Sequence, residues 1–290
     1  MKARMPLAFL ILAAAVFVVG CDDDSSDSIV NPYPQPPQGV YSVTADGAVE
    51  LYWTGPYRND IVEFIIYRSF EATTGYEEIG RRTAVPNPDL DLIYYEPGYV
   101  DNTAINGVTY WYAIASVDRY GRVSLLSAEN VFDTPRKEGT VKLYDADAQP
   151  AWAGFSLENA EVVPWNHASA DVFVWVDGGI FWLMAGRDGT DMQDMGYTYS
   201  FAEIGYAPDN GWVQVRQLEL IEGHTYVIWT EDYHYAKLRV TNIGATSVDF
   251  QWAYQTDTDN RELSPGLPGE DDLEISEAID PDQHGVREGR

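Results

Sequence analysis

The chain is poor in several things at once. Its 290 residues include one cysteine, Cys21, so no intramolecular disulfide can staple it and its fold must rest on an apolar core. Basic residues number 18 against 46 acidic ones, a formal net charge of −28. A surface of that sign repels phosphate backbones, which argues against any nucleic-acid partner, and it gives no attraction to anionic lipid. Histidine is scarce: His167, His224, His234 and His284 are the four, and no two are spaced as His-x-x-x-His. No Gly-x-Ser-x-Gly elbow and no phosphate-binding loop occurs. With so many acids, chance carboxylate pairs are inevitable, and each reads first as a solvated surface group. The uncharged run Leu7 to Val19 counts 13 residues, short of the roughly 20 that a membrane-spanning helix needs. These absences give no catalytic residue, no metal site and no cofactor, and the chain reads as a non-enzyme.

What is present begins at the N-terminus. Lys2 and Arg4 precede the apolar run, which leaves through small residues into Val18-Val19-Gly20-Cys21. Positive end, short apolar core and small-residue exit form a signal peptide over residues 1–20. The last four residues resemble the lipobox of bacterial lipoproteins. That resemblance implies a diacylglyceryl group on the Cys21 thiol, cleavage before Cys21 and acylation of its new amino group. A single acyl chain holds a membrane only marginally, so the several chains of a mature lipoprotein matter. Residues 21–33 follow as an acidic tether, opened by Asp22-Asp23-Asp24-Ser25-Ser26-Asp27-Ser28, too charged to join a core. In lipoproteins, acids just past the lipidated cysteine mark inner-membrane retention in some bacteria and export to the cell surface in others. The expected location is the bacterial cell envelope, lipid-anchored and extracytoplasmic, either periplasmic or surface-exposed.

Aromatic content is high, with 20 Tyr and 9 Trp. Such residues fill β-sandwich cores and also make stacking platforms for sugars and flat ligands. After the stiff entry Asn31-Pro32-Tyr33-Pro34-Gln35-Pro36-Pro37, short strands recur. Val49, Leu51 and Trp53 alternate with Glu50, Tyr52 and Thr54. Ile61 to Arg68 is a β-branched and aromatic run, and Tyr76 to Ile79 is a short edge candidate. Thr109 to Val117 puts Tyr110, Tyr112 and Ile114 on one side, and the turn at 118–121 leads into Val123-Ser124-Leu125-Leu126. Residues 34 to 135 resemble a fibronectin type III domain. The resemblance rests on Pro36-Pro37, on Trp53 in the second strand, on Phe64 to Arg68 in the third and on Tyr110 to Asp118 in the sixth. It implies a β-sandwich over 34–136 with a buried Trp53, a Tyr110 hydroxyl tied back to nearby backbone, and the role of spacer or adhesive module.

The boundary falls at Thr134 to Gly139, and 137–263 reads as a second antiparallel β-domain. Val172 to Val176 and Ile180 to Met184 flank Asp177-Gly178-Gly179, a strong hairpin signal. Both runs are apolar on both faces, which predicts a place central in the core. Thr225 to Thr230 and His234 to Val240 flank Glu231-Asp232-Tyr233, with Ala236, Leu238 and Val240 opposite Tyr235, Lys237 and Arg239. Val248, Phe250, Trp252 and Tyr254 repeat the alternation. The stretch Gly223 to Thr230 with Tyr235 to Val240, then Phe250 to Gln255, resembles the C-terminal strands of HmuY-family haem-binding lipoproteins. The family's haem-ligating histidines find no counterpart here, so haem binding is not carried over.

His224 and His234 sit at opposite ends of one predicted hairpin, on the order of 20 Å apart, too far to share a metal. Asp257 to Glu262 resembles a calcium loop but lacks its central glycine and spacing, so it reads as a turn, as does Arg187 to Asp191. From 264 to 290 the chain turns to proline, glycine and acid and reads as a disordered tail. The expectation is an all-β chain, a fibronectin type III sandwich followed by a second antiparallel β-domain. It would serve as a non-enzymatic envelope lipoprotein with a binding, structural or adhesive role. The alternative is capture of haem or carbohydrate by the C-terminal β-domain. The expected partners are the membrane through Cys21 and a protein, carbohydrate or haem ligand. Tryptophans exposed together would favour capture, and buried ones a structural role.

Overall fold

The computed structural model describes residues 33–56, 60–85, 98–212 and 216–264. The expected signal peptide at 1–20, Cys21, the tether up to residue 32, the tail from 265 and His284 lie outside the described residues. Among the described residues no helix is long and apolar enough to cross a membrane.

The first seven strands are β1 (Gln38–Ala45), β2 (Ala48–Thr54), β3 (Ile61–Ser69), β4 (Glu77–Thr83), β5 (Tyr99–Asp101), β6 (Tyr110–Asp118) and β7 (Val131–Asp133). They pair antiparallel into two sheets, β1-β2-β5 and β4-β3-β6-β7. Alternation decides which side chains meet. Val49, Leu51 and Trp53 of β2 face Phe64 and Ile66 of β3 and Tyr110, Tyr112 and Ile114 of β6 in one apolar cluster. The Trp53 and Phe64 rings meet edge to face at 5.5 Å. Polar ties cross between the sheets. The Thr44 hydroxyl donates to the Asp133 carboxylate at 2.7 Å, and the Asp101 carboxylate accepts from Arg68 at 2.8 Å and from the Tyr112 hydroxyl at 3.0 Å. The Tyr110 hydroxyl accepts the Ile105 N–H at 3.3 Å, the backbone tie that the resemblance implies. This is a fibronectin-type β-sandwich.

One strand expected here does not form. Val123 makes an isolated bridge to Val117, and Ser124-Leu125-Leu126 is irregular. The reason is local. The Ser124 and Ser127 hydroxyls accept the Ser116 and Ile114 N–H groups at 2.9 and 3.1 Å, so side chains occupy the edge that a strand ladder would have used. The short edge candidate at Tyr76 to Ile79 is β4, longer and displaced by one residue, at the end of its sheet.

The second sandwich comprises β8 (Lys137–Tyr144), β9 (Gly154–Ser156), β10 (Glu161–Val163), β11 (Val172–Asp177), β12 (Ile180–Ala185), β13 (Asp191–Tyr197), β14 (Gln217–Glu219), β15 (His224–Trp229), β16 (Tyr235–Ile243) and β17 (Ser247–Tyr254). Two five-stranded sheets result, β10-β9-β11-β12-β14 and β13-β15-β16-β17-β8. Between them lie Phe155, Val172, Val174 and Leu183 from the first and Tyr226, Leu238, Phe250 and Trp252 from the second. The Phe155 and Trp252 rings meet edge to face at 5.2 Å. Fully burying a side chain of this kind contributes about 1.5–3 kcal/mol, enough across such a layer to dispense with disulfides.

The β11–β12 hairpin forms as predicted, with Asp177 opposite Ile180. Gly178 and Gly179 both take positive φ, 59° and 86°, as a two-residue primed turn requires. The expectation that both faces of these strands are buried is corrected. Val172, Val174, Leu183 and Ala185 are buried, whereas Phe173, Trp175, Trp182 and Met184 on the opposite face keep solvent contact. A sheet in a two-layer sandwich has one face covered by its partner, and among the described residues no further sheet lies over this second one, which meets only loop segments such as that of Trp165.

The other sheet is treated differently. Its outer face is covered by the segment from Thr198 to Trp212, where Ile204, Ala207 and Trp212 pack with Val227, Trp229 and Tyr235. Beneath it, Lys237 is fully buried, and its ammonium donates to the Phe201 and Ile204 carbonyls at 2.7 and 2.9 Å and lies 4.3 Å over the Phe201 ring.

Candidate binding face

The outer face of the β10-β9-β11-β12-β14 sheet gathers aromatic rings through register alone. Trp175 lies directly opposite Trp182, and Phe173 opposite Met184. Trp182 and Met184 continue across to Glu219 and Gln217 of β14. On the other side Phe173 pairs with Gly154 of β9. A Cβ at Gly154 would stand 2.9 Å from the Pro164 carbonyl oxygen and 3.1 Å from the Trp165 Cα, so glycine lets the Trp165 segment close onto the sheet. The Trp165 ring, 40% exposed, then sits 5.4 Å from that of the half-buried Phe173. The Trp165 N–H donates to the Pro150 carbonyl at 3.1 Å, which brings up the 3-10 turn Pro150–Trp152 and its 57% exposed Trp152. The Trp175 indole N–H donates to the Asp147 carboxylate at 3.2 Å, which fixes the ring's orientation. Asp177 and Glu219 add exposed carboxylates on the same strands.

Three of the nine tryptophans, Trp165, Trp175 and Trp182, are thus grouped here with solvent contact, while Trp53 and Trp252 are core. The sequence signal was present. On β11 the covered face is aliphatic, Val172 and Val174, while the other face carries Phe173 and Trp175, a difference that apolar-versus-polar counting ignores.

A second feature is the junction of the sandwiches. A cleft of about 330 Å³ is lined by Thr109, Phe132, Thr134, Tyr206, Asn260 and Glu262 among others. Its wall is held by Gln255, whose amide donates to the Thr134 and Glu262 carbonyls at 3.2 and 3.1 Å and accepts the Asp257 N–H at 3.1 Å. Behind it lies a buried charged group. Burial pushes the Asp133 carboxyl up to about 6. Burial, with the nearby Asp133, pushes the Glu262 carboxyl up to about 7. Burial, with the Arg136 guanidinium, pushes the Lys237 ammonium down to about 6. Arg136 is 2% exposed and pairs with Glu138 at 3.0 Å. Lys237 is held instead by the Phe201 and Ile204 carbonyls, and Gln255 joins the Thr134 and Glu262 carbonyls of the cleft wall.

The histidines do not converge. His167 contacts Ser169 at 2.7 Å, His224 lies 3.0 Å from the Asp194 carboxylate, and His234 lies 3.1 Å from the Gln255 carbonyl oxygen. The register places His224 and His234 at opposite ends of the β15–β16 hairpin, as predicted. Among the described residues no three His, Cys, Asp or Glu side chains are grouped as metal ligands. Asp257 to Glu262 is a turn closed by Asn260, which donates to Asp257 and accepts the Glu262 N–H at 2.9 Å.

Fold and face together define an all-β, two-sandwich protein with a fibronectin-type first unit and an aromatic sheet face on the second. No family model matches the chain, and no curated protein matches it. Among solved structures, the chain is similar to an Fn3-like protein from Clostridium thermocellum at 21% identity, over 37% of this chain and 98% of that one, with a TM-score of 0.26. It is similar to a pectate lyase from Pectobacterium carotovorum at 21% identity, over 32% of this chain and 26% of that one, with a TM-score of 0.25. It is also similar to a DUF4466 family protein from Parabacteroides merdae at 9% identity, over 78% of this chain and 95% of that one, with a TM-score of 0.43.

Proposed function

We propose that the protein is a non-enzymatic lipoprotein of the bacterial cell envelope, anchored through Cys21, whose second sandwich is a binding module presented by the fibronectin-type sandwich. The observation that carries the binding role is the aromatic face of Phe173, Trp175, Trp182 and Trp165. Phe173, Trp175 and Trp182 are half-buried and Trp165 is 40% exposed, and a ligand seated on the face would complete their burial, which accounts for their grouping. The anchor rests on Lys2, Arg4, the apolar run and Val18-Val19-Gly20-Cys21. The junction around Gln255 and Thr134 supports presentation of the two sandwiches as one piece.

Capture of haem is disfavoured against the other ligands. His224 and His234 are engaged at separate places, and neither stands on the aromatic strands β11 and β12. Two measurements test the reading. Radioactive palmitate should label the wild type and not Cys21→Ser, which should leave the membrane fraction or persist as precursor. Equal incorporation in the two would remove the anchor. A calorimetric screen of the full chain against glycans, haem and envelope proteins should give binding that Trp182→Ala weakens. Binding untouched by that change would remove the face from the function.

A further inference from the structure

Resting on that reading, we infer that the aromatic face of β9, β11, β12 and β14 binds a neutral polysaccharide chain, lying along β11 with its sugar rings stacked on Trp165 and Phe173 at one end and on Trp175 and Trp182 at the other. Three properties of the face select this ligand. The first is shape. Residues two apart on a strand are spaced by roughly 6.7 Å, so the row holding Trp165 and Phe173 and the row holding Trp175 and Trp182 stand one such step apart along β11. They lie on a sheet surface rather than in a cavity, which suits an internal stretch of polymer and not a small molecule needing enclosure.

The second is chemistry. Pyranose rings present C–H faces that pack on flat aromatic rings, and their hydroxyls point outward around the rim. The rim offers Asp147, Asp177 and Glu219, which as carboxylates only accept, and the amide of Gln217. Sugar hydroxyls donate to such acceptors, and carboxylate acceptors make the stronger hydrogen bonds. Asp147 is already held at 3.2 Å by the Trp175 indole, so one acceptor and one stacking ring are positioned together.

The third is charge. The rim is acidic and the whole chain carries −28, so uronic-acid and sulfated polymers are repelled and neutral ones are not. Haem brings two carboxylates of its own and meets the same repulsion, with no histidine on these strands to ligate its iron.

The test uses the detergent-solubilised full chain. Affinity electrophoresis through gels holding β-glucan, mannan or xylan, and pull-down on cellulose and chitin, probe neutral polymers. Polygalacturonate, heparin and haem form the opposing arms. Wild type is compared with Trp175→Ala, Trp182→Ala and Trp182→Tyr, and with Tyr199→Ala as a control on an 85% exposed ring elsewhere. Urea midpoints confirm that each variant is folded, and tryptophan emission follows the rings directly. Retardation by at least one neutral polymer is expected, weakened about tenfold in each alanine variant, largely kept in Trp182→Tyr and unchanged in Tyr199→Ala. Binding of the anionic polymers in preference, or of haem at this face, overturns the ligand class and leaves the binding module standing. Neutral-polymer binding that survives both alanine changes overturns the site. Failure of every neutral polymer to bind also overturns the inference, and the screen against envelope proteins then decides the wider reading separately.

Discussion

Replacing Gln255 by alanine should cost the chain roughly 3–5 kcal/mol of stability. Gln255 closes β17 and is completely buried between the sandwiches. Its amide donates to two main-chain carbonyls, Thr134 at 3.2 Å and Glu262 at 3.1 Å, and its oxygen accepts the Asp257 N–H at 3.1 Å. Thr134 and Glu262 are themselves buried, at 0% and 3% exposure. Truncation strands both carbonyls, each costing about 1–3 kcal/mol, while Asp257 can turn to water. The vacated volume adds a cavity penalty, or admits a water that restores part of the loss. Urea unfolding of the full chain, followed by tryptophan emission and far-ultraviolet circular dichroism, measures the effect. Gln255→Leu separates its two parts, since leucine fills the space without the hydrogen bonds. It should recover the cavity portion and remain about 2 kcal/mol or more below wild type. Gln255→Ala within about 1 kcal/mol of wild type would refute the assignment of these bonds as the tie between the sandwiches.

Trp53→Ala should lower stability by roughly 3–5 kcal/mol, because the ring is 3% exposed and meets Phe64 edge to face; an unchanged urea midpoint would place Trp53 outside the core. Glu262→Gln should remove a pH dependence. Burial and Asp133 raise the folded carboxyl from 4.5 to about 7, so its favourable contribution is complete below pH 4.5 and is lost as pH rises through about 7. Glutamine stays neutral, so the variant should gain on wild type across that window by an amount of order 3 kcal/mol, and a stability difference flat from pH 4.5 to 7.5 would contradict the burial argument.

Strand positions were largely legible because alternation is a local property. Val49-Leu51-Trp53, the Tyr110-Tyr112-Ile114 series, the glycine turn at 178–179 and the two faces of β16 and β17 all occur where period two and turn chemistry put them. The Tyr110 hydroxyl tie was legible through resemblance rather than through periodicity. Short or polar strands were not. β9, β10, β13 and β14 carry too few alternating residues to stand out, and they are strands because neighbouring edges pair with them. Ser124 and Ser127 erred in the other direction, since their hydroxyls replace a ladder that the sequence pattern suggested.

The sequence by itself determined the antiparallel all-β class and the inward faces of the long strands, since each depends on residues close together in the chain, and it indicated the fibronectin-type first sandwich through resemblance. Only the tertiary structure decided which apolar face is covered. Phe173, Trp175 and Trp182 read as core from their apolar runs, and they are half-buried because the partner sheet packs on Val172, Val174 and Leu183 and, among the described residues, no further sheet lies over the other side. Burial is a property of what packs against a residue from elsewhere in the chain. The same holds at the junction, where Thr134 and Gln255, 121 positions apart, meet in one hydrogen bond that no local pattern encodes.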